Sequence, residues 1–409
     1  MTDTDRTALI VGGGIGGLTA ALCLADQGWR VRLFEQAAQF TAVGAGIQLS
    51  PNCVRVLHHL GLEAALRAVA FLPQGVEMRG WRNGATLSAN RLGEAVEQRY
   101  GFPYYHVHRA DLLAVLVAAA QASPHIQLRT GTRVNAIDAA QARLTIGADG
   151  DQIAGDVLIG ADGIRSVVRD ELFGAAAPDF TGCVAWRALV PAERMPPGVV
   201  HPVASVWLGP GKHFVHYYVR SGTLINCVCV VEKTGWEIES WTERGEHAEL
   251  ARDFRGWHAT VAALIDNMER DACFKWALFD REPMPVWSRG LATLLGDACH
   301  PTLPFMAQGA AMAIEDGAVL AACLARADDV AQALVRYESL RRARTAGIQR
   351  GSRRNARVFH LRAPWSWARN VGLRRARAGM TEGLYSYDAL RAGVAAPSVT
   401  DPAIASAPP

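Results

Sequence analysis

No two of the eight cysteines in this 409-residue chain form a CxxC pair. That argues against a thiolate metal centre and a disulfide framework, and no metal site is expected. Cys227 and Cys229, two apart in a strand-like run, share a face and suit buried thiols in a reducing compartment. No uninterrupted apolar run reaches the ~20 residues of a membrane helix. The start, Met1-Thr2-Asp3-Thr4-Asp5, is acidic and has no basic n-region, so no secretory signal is expected and the protein is expected to be cytoplasmic. Internal repeats are absent. The net charge of +3 is too small to imply nucleic acid or membrane as a partner. One basic stretch, Arg336 to Arg377, has almost no acids and reads as a solvated helix face rather than an anion-binding surface.

What is present is an ordinary globular balance: 50% hydrophobic and 20% charged residues, enough apolar surface for two or three cores. Ala8 to Val11 is a short apolar run that reads as a buried strand. A glycine cluster follows, then a helical stretch from Leu18 to Gln27 that Gly28 stops. Arg30 to Glu35 reads as a second strand, which makes a βαβ opening. Helices are expected near Pro51 to Leu60 and over Arg109 to Ala122, and strands at Gln127 to Arg129, Ala142 to Ile146 and Val157 to Ile159. Between Gly182 and Trp287 strand-like runs dominate (Val184 to Val190, Ser205 to Leu208, His213 to Val219, Leu224 to Val231) and suggest a separate antiparallel sheet. An apolar strand returns at Leu291 to Gly296, and helices run from Gly309 to about Leu390.

The spacing Gly12-x-Gly14-x-x-Gly17 lies between a strand and a helix, as a dinucleotide site requires. The first glycine permits the turn, the second lets a pyrophosphate approach, and the third lets helix and strand pack. The helix N-terminus offers free N–H groups to phosphate. Glu35, at the end of the next strand, is placed to accept from a ribose hydroxyl. A second signal, Gly296-Asp297-Ala298-Cys299-His300-Pro301, also ends an apolar strand and leads into Gln308-Gly309-Ala310 and a helix. A nicotinamide dinucleotide alone needs no such distant half, whereas an extended FAD does.

With these motifs, Gly44-Ala45-Gly46-Ile47-Gln48, His108-Arg109-Ala110-Asp111-Leu112 and Gly160-Ala161-Asp162-Gly163 quoted together, the chain resembles the single-component FAD-dependent aromatic hydroxylases over Leu9 to Arg357. It looks most like the branch of salicylate hydroxylase, 3-hydroxybenzoate 6-hydroxylase and 6-hydroxynicotinate 3-monooxygenase. The resemblance implies an α/β fold: a Rossmann-like FAD-binding domain in two parts (1–181 and 288–390, the second with C-terminal helices) and an α+β substrate domain with an antiparallel sheet (182–287); the tail (391–409), rich in Ala, Pro and Ser, is expected from its composition to be disordered. It implies bound FAD, with NADH or NADPH and O2 as co-substrates. Reduced flavin then forms a C4a-hydroperoxide that hydroxylates a small aromatic substrate. The nicotinamide nucleotide binds transiently in this family, which fits the absence of a second GxGxxG unit; Gly209-Pro210-Gly211 opens no helix. The FAD-binding set so implied is Gly12, Gly14, Gly16, Gly17, Glu35, Gln36, Gly46, Gln48, Arg109, Val134, Asp162, Gly163, Asp297, Pro304, Gly309, Ala310 and Met312. Pro301 to Met312 would lie along the flavin ring.

For the substrate, His213 and Tyr217 are four apart on a strand and face one way, with His216 and Tyr218 facing the other. Relatives carry such a pair over the flavin, so His213 is the candidate base and Tyr217 the candidate orienting group. Residue 48 is Gln, as in several benzoate hydroxylases, where the 6-hydroxynicotinate enzyme has His; Pro304 stands where 3-hydroxybenzoate 6-hydroxylases carry Gln. Arg187 and Arg220 are the candidates for a substrate carboxylate, though each reads more readily as a structural surface or strand-end charge; His300 reads as structural, and Trp186, Trp207 and Trp287 as core. A salicylate-like acid leads as substrate. A larger aromatic natural product and a non-catalytic FAD-binding protein remain alternatives, while a halogenase is disfavoured because no WxWxIP motif occurs. The sequence leaves monomer and homodimer open.

Overall fold

The computed structural model describes residues 6–40, 45–147, 149–233, 235, 244–375 and 382–394. The opening βαβ unit forms as its pattern dictates. Ala8, Leu9 and Ile10 are wholly buried because the Thr7–Val11 strand has a parallel neighbour on each side, Arg30–Phe34 and Val157–Gly160. Gly28, at φ +83°, ends the connecting Ile15–Asp26 helix. The finished sheet has six strands in the order Ser288–Arg289, Ala292–Leu294, Val157–Gly160, Thr7–Val11, Arg30–Phe34 and Ile126–Arg129. The Ala292–Leu294 strand thus returns from the far end of the chain to pair in parallel with Val157–Gly160.

A seven-stranded sheet forms the second layer, in the order Phe274–Asp280, Asp179–Pro191, Leu224–Glu232, Lys212–Val219, Val203–Gly209, Gly75–Gly80 and Thr86–Arg91. Two expectations need correction here. The sheet is not confined to 182–287, because Gly75–Gly80 and Thr86–Arg91 come from the first segment. Nor is it wholly antiparallel, because Gly75–Gly80 pairs in parallel with Val203–Gly209. The first of these strands reads Val76-Glu77-Met78-Arg79, with the Glu77–Arg79 ion pair on one face; this short alternation is compatible with a half-buried strand but carries no sign of which distant sheet it joins. One face of the sheet carries a core of Trp186, Trp207, Phe214, Trp257 and the helices His247–Asp253 and Ala259–Asp266. Trp287 belongs to the core of the first layer.

The C-terminal part is helical. Gly309–Leu324 packs on Ile15–Asp26 through small residues; a Cβ on Gly317 would meet Ala20 N at 2.9 Å. Val330–Phe359, capped by the Asp329 side chain on two N–H groups, runs back across it. Arg342, Arg350, Arg354 and Arg357 are exposed, as a solvated face requires, but other arginines of the helix depart from that expectation. Arg341 is fully buried between Glu315 and Asp316, and Arg344 and Arg353 are also ion-paired. An arginine stripe without nearby acids in sequence is matched by acids on other elements. Residues 391–394, expected in the tail, include the end of the helix Ala389–Ala392, while 395–409 lie outside the described residues. All eight cysteines are free and buried. No described helix is long and apolar enough to cross a membrane.

Candidate active site

The glycines of the first turn have distinct physical reasons. Gly12 has φ +105°, and a Cβ there would lie 2.4 Å from the Ala161 carbonyl oxygen. A Cβ on Gly17 would lie 2.0 Å from the Gly12 carbonyl oxygen, and one on Gly16 would lie 2.7 Å from Leu295. Gly14 is different: no protein atom lies within 4 Å of its would-be Cβ. Protein packing therefore explains three of the four, and Gly14 leaves the gap into which a pyrophosphate fits. Glu35 accepts from Gly13 N and Ala37 N, each at 2.8 Å, which fixes its carboxylate beside the turn.

The other end is built from the return strand. Asp297 follows Leu295, reaches the cavity, and makes no hydrogen bond to another described residue through its carboxylate. Its side chain is open to the cavity yet enclosed by the surrounding walls, and this desolvation raises its pKa, opposed by His300 and Arg109. Arg109 opens the Arg109–Ala122 helix at the cavity wall, and burial lowers its pKa against the pull of Asp297. His300 is buried and is not among the residues that line the cavity. Its Nε2 meets Asp316 at 2.6 Å, where it holds the Gly309–Leu324 helix to the strand end. Gln308 binds Ser50 and Asn52, and Asn52 binds Glu315, so the loop beside the flavin region is fixed by buried polar contacts.

One cavity of about 320 Å³ joins the two ends to the seven-stranded sheet. Of the anticipated residues, Gly14, Gly16, Arg109, Gly163, Asp297, Gly309 and Ala310 line it, together with Gly46, Gln48, His213, Tyr217 and Pro304. Other members of the anticipated set lie elsewhere. Met312 is fully buried and is not among the residues that line the cavity; its carbonyl accepts from Arg341. Val134 is core and does not line the cavity, while the nearby Thr132 N–H donates to the Glu35 carbonyl. Gln36 is exposed. The Asp162 carboxylate caps the Val167–Phe173 helix, accepting from Ser166 Oγ at 2.5 Å and Val168 N at 3.1 Å, so the cavity meets its neighbour Gly163 instead. Gly44 lies outside the described residues.

On the sheet side, His213 is 3% exposed, and burial holds its pKa well below the usual imidazole value. It is therefore neutral at pH 7. Its Nδ1 lies 2.8 Å from His360 Nε2, which leaves Nε2 for a ligand. The Tyr217 ring packs on Gly46, where a Cβ would sit 2.5 Å from it. Burial raises the Tyr217 hydroxyl, so it stays protonated and can donate. Gln48 accepts from the Tyr104 hydroxyl at 2.7 Å and lines the cavity beside Tyr217. Arg187 lines the same cavity, its guanidinium 4.3 Å from the Trp276 ring centre. Burial pushes it down to about 10, so it remains a cation. Of the two arginines considered for a substrate carboxylate, Arg187 is the one at the cavity. Its strand alternates Trp186 and Ala188 outward from it, and alternation alone shows only a face, not what covers that face. Arg220 is an ion-pair partner of Asp111 at the surface.

The family profile described as FAD binding domain matches residues 5–352. The chain belongs to the FAD-binding aromatic hydroxylases. Like its relatives, this hydroxylase binds FAD and is an NAD(P)H-dependent monooxygenase. It is 41% identical over 354 residues to a 3-amino-4-hydroxybenzoate 2-monooxygenase from Streptomyces platensis, covering 86% of this chain and 88% of that one. It is 39% identical over 362 residues to a 6-hydroxynicotinate 3-monooxygenase from Pseudomonas fluorescens, covering 87% and 92%. The structure of HpxO from Klebsiella pneumoniae with FAD and uric acid superposes with a TM-score of 0.82 at 27% identity, over 96% of this chain and 98% of that one. The gap at Gly14 and the unbonded Asp297 carboxylate fit FAD at the two ends of the cavity.

Proposed function

We infer that the substrate is a one-ring aromatic or N-heteroaromatic acid carrying a ring hydroxyl, with 3-amino-4-hydroxybenzoate, 6-hydroxynicotinate and salicylate as the chemical models. The single observation behind this reading is the shared cavity. It sets a neutral base, a phenol donor and a cation, His213, Tyr217 and Arg187, against the residues suited to FAD. The names of the two relatives above both describe a carboxylate and a ring hydroxyl on opposite sides of one ring. Arg187 suits the first group and His213 the second. A volume of about 320 Å³, shared with the flavin ring, favours one ring over a polycyclic natural product.

Gly14, Glu35, Arg109 and Asp297 would hold FAD, through its phosphates, a ribose and the ribityl chain. When bound, FAD supplies oxygen activation after reduction by NAD(P)H. The chain's own residues supply the rest. His213 Nε2 accepts the substrate hydroxyl proton, which makes the ring electron-rich. Tyr217, held protonated by burial, donates to the substrate oxygen and keeps the ring in register. Arg187 fixes the carboxylate through charge-assisted hydrogen bonds. Val215, Val228 and Leu303 keep the wall apolar and exclude water.

The test is oxidation of NADH and NADPH by purified holoenzyme with a panel of hydroxylated aromatic acids. The expected result is substrate-stimulated oxidation and a product heavier by one oxygen, or decarboxylated and hydroxylated. A panel in which no acid stimulates oxidation would overturn the reading.

A further inference from the structure

The imidazole of His213 is the inner end of a row of three side chains. Its Nδ1 lies 2.8 Å from His360 Nε2, and His360 Nδ1 lies 3.3 Å from Glu232 Oε1. Both imidazoles are buried, whereas the Glu232 side chain is 42% exposed. The row therefore connects the cavity wall to the protein surface. Its members come from the Lys212–Val219 strand, the end of the Val330–Phe359 helix and the end of the Leu224–Glu232 strand.

The surroundings hold this row in place. The Gly211 N–H donates to the His360 carbonyl at 2.9 Å, and the Glu232 N–H donates to the Gly211 carbonyl at 2.9 Å. Gly211 has φ +67°, and a Cβ there would meet Arg362 Nη2 at 2.8 Å and Glu232 Oε2 at 3.1 Å. Arg362 holds Glu232 Oε2 at 2.9 Å, which leaves Oε1 for His360. Arg369 donates to the Phe359 carbonyl at 2.7 Å and so pins the helix end. The charged and titratable groups around His360 are thus His213, Glu232, Arg362 and Arg369, with Phe305 and Phe359 closing the sides of the imidazole pair. Burial pushes His360 down to about 4, with Glu232 pulling the other way. Both rings are therefore neutral at pH 7, each with one N–H and one acceptor nitrogen, as a relay requires.

We propose that His360 and Glu232 carry the substrate's hydroxyl proton from His213 to solvent. This rests on the assignment of His213 as base. The substrate O–H bond breaks, its electron pair stays on oxygen, and the proton bonds His213 Nε2. The His213 Nδ1 proton passes to His360 Nε2, the His360 Nδ1 proton passes to Glu232 Oε1, and Glu232 releases it to water. One proton leaves and no electron moves. The same row in reverse returns a proton to the product oxygen and restores both ring tautomers. His360 and Glu232 act through His213 and are positioning and relay residues.

The experiment mixes holoenzyme in a stopped-flow instrument with whichever of 3-amino-4-hydroxybenzoate, 6-hydroxynicotinate or salicylate most stimulates NAD(P)H oxidation. It follows the ultraviolet change on loss of the hydroxyl proton. Glu232→Gln and His360→Asn are expected to slow that step roughly 10-fold or more while substrate affinity stays within about twofold. Added formate should speed Glu232→Gln and leave the unsubstituted enzyme unchanged, which a purely structural defect would not do. A wild-type rate in folded Glu232→Gln overturns the relay, as does a slow rate that formate does not lift. Should His360→Asn fail to fold, Glu232→Gln decides alone. His213→Ala separates the two readings: if it deprotonates substrate normally the base assignment falls, whereas a dead His213→Ala beside a normal Glu232→Gln removes only the relay. A panel without any stimulating acid removes both.

Discussion

Asp316 accepts from Arg341 Nε at 2.7 Å with both side chains wholly buried, and its other oxygen meets His300 at 2.6 Å. Glu315, the next residue, meets Arg341 at 2.7 Å and Arg344 at 2.8 Å. This cluster ties the Gly309–Leu324 helix to the Gly296–Ala298 turn that presents Asp297, so an ion network outside the cavity fixes one wall of it.

Removing one partner leaves the others charged and dry. Arg341→Ala should destabilise the protein by roughly 3–5 kcal/mol, the usual cost of breaking a buried pair. Urea unfolding should show a lowered midpoint with an unchanged slope. A midpoint equal to wild type would show that the cluster is dispensable.

The same cluster sets an acid limit. Burial alone would raise the Asp316 carboxyl, but His300 and Arg341 overrule it and hold it at about 2. A carboxyl depressed on folding binds fewer protons in the native state than in the unfolded one. Its contribution is therefore complete above about pH 4 and is lost as pH falls toward about 2. The effect should be on the order of 2 kcal/mol. Stability measured between pH 5 and pH 2 should fall less steeply in Asp316→Asn than in wild type. Parallel curves would refute the assignment.

Gly14 and Gly17 should respond oppositely to alanine. Gly17→Ala forces a Cβ to 2.0 Å from a backbone oxygen and should cost about 1–3 kcal/mol in the apoprotein. Gly14→Ala meets no protein atom, so the apoprotein should melt as wild type while FAD affinity drops roughly tenfold, about 1.4 kcal/mol. Thermal melts paired with flavin titration distinguish the two. Unaltered FAD affinity in Gly14→Ala would mean that the gap is not where the pyrophosphate lies.

Arg187→Met should lower kcat/KM for a carboxylate substrate by roughly 30-fold or more, matching ~2–5 kcal/mol for an interfacial charge pair. The corresponding carboxamide should lose far less. Steady-state kinetics on both compounds decide the point, and equal losses would remove Arg187 from carboxylate recognition.

The sequence by itself determined the opening βαβ unit, the apolar return strand before Asp297, and the strand carrying His213 and Tyr217. Each of these rests on local rules. A tight turn demands Gly12 at φ +105°, and an alternating strand puts residues four apart on one face. Only the tertiary structure decided that Arg187 faces the cavity, that Arg341 is buried, and that His360 touches His213 across 147 positions. It also decided that Gly75–Gly80 joins the second sheet and that Met312 is buried outside the cavity lining. The physical reason is common to all of these. Spacing along the chain fixes which side chains share a face. What meets that face depends on which distant strands and helices pack there, and no short window of sequence contains that information.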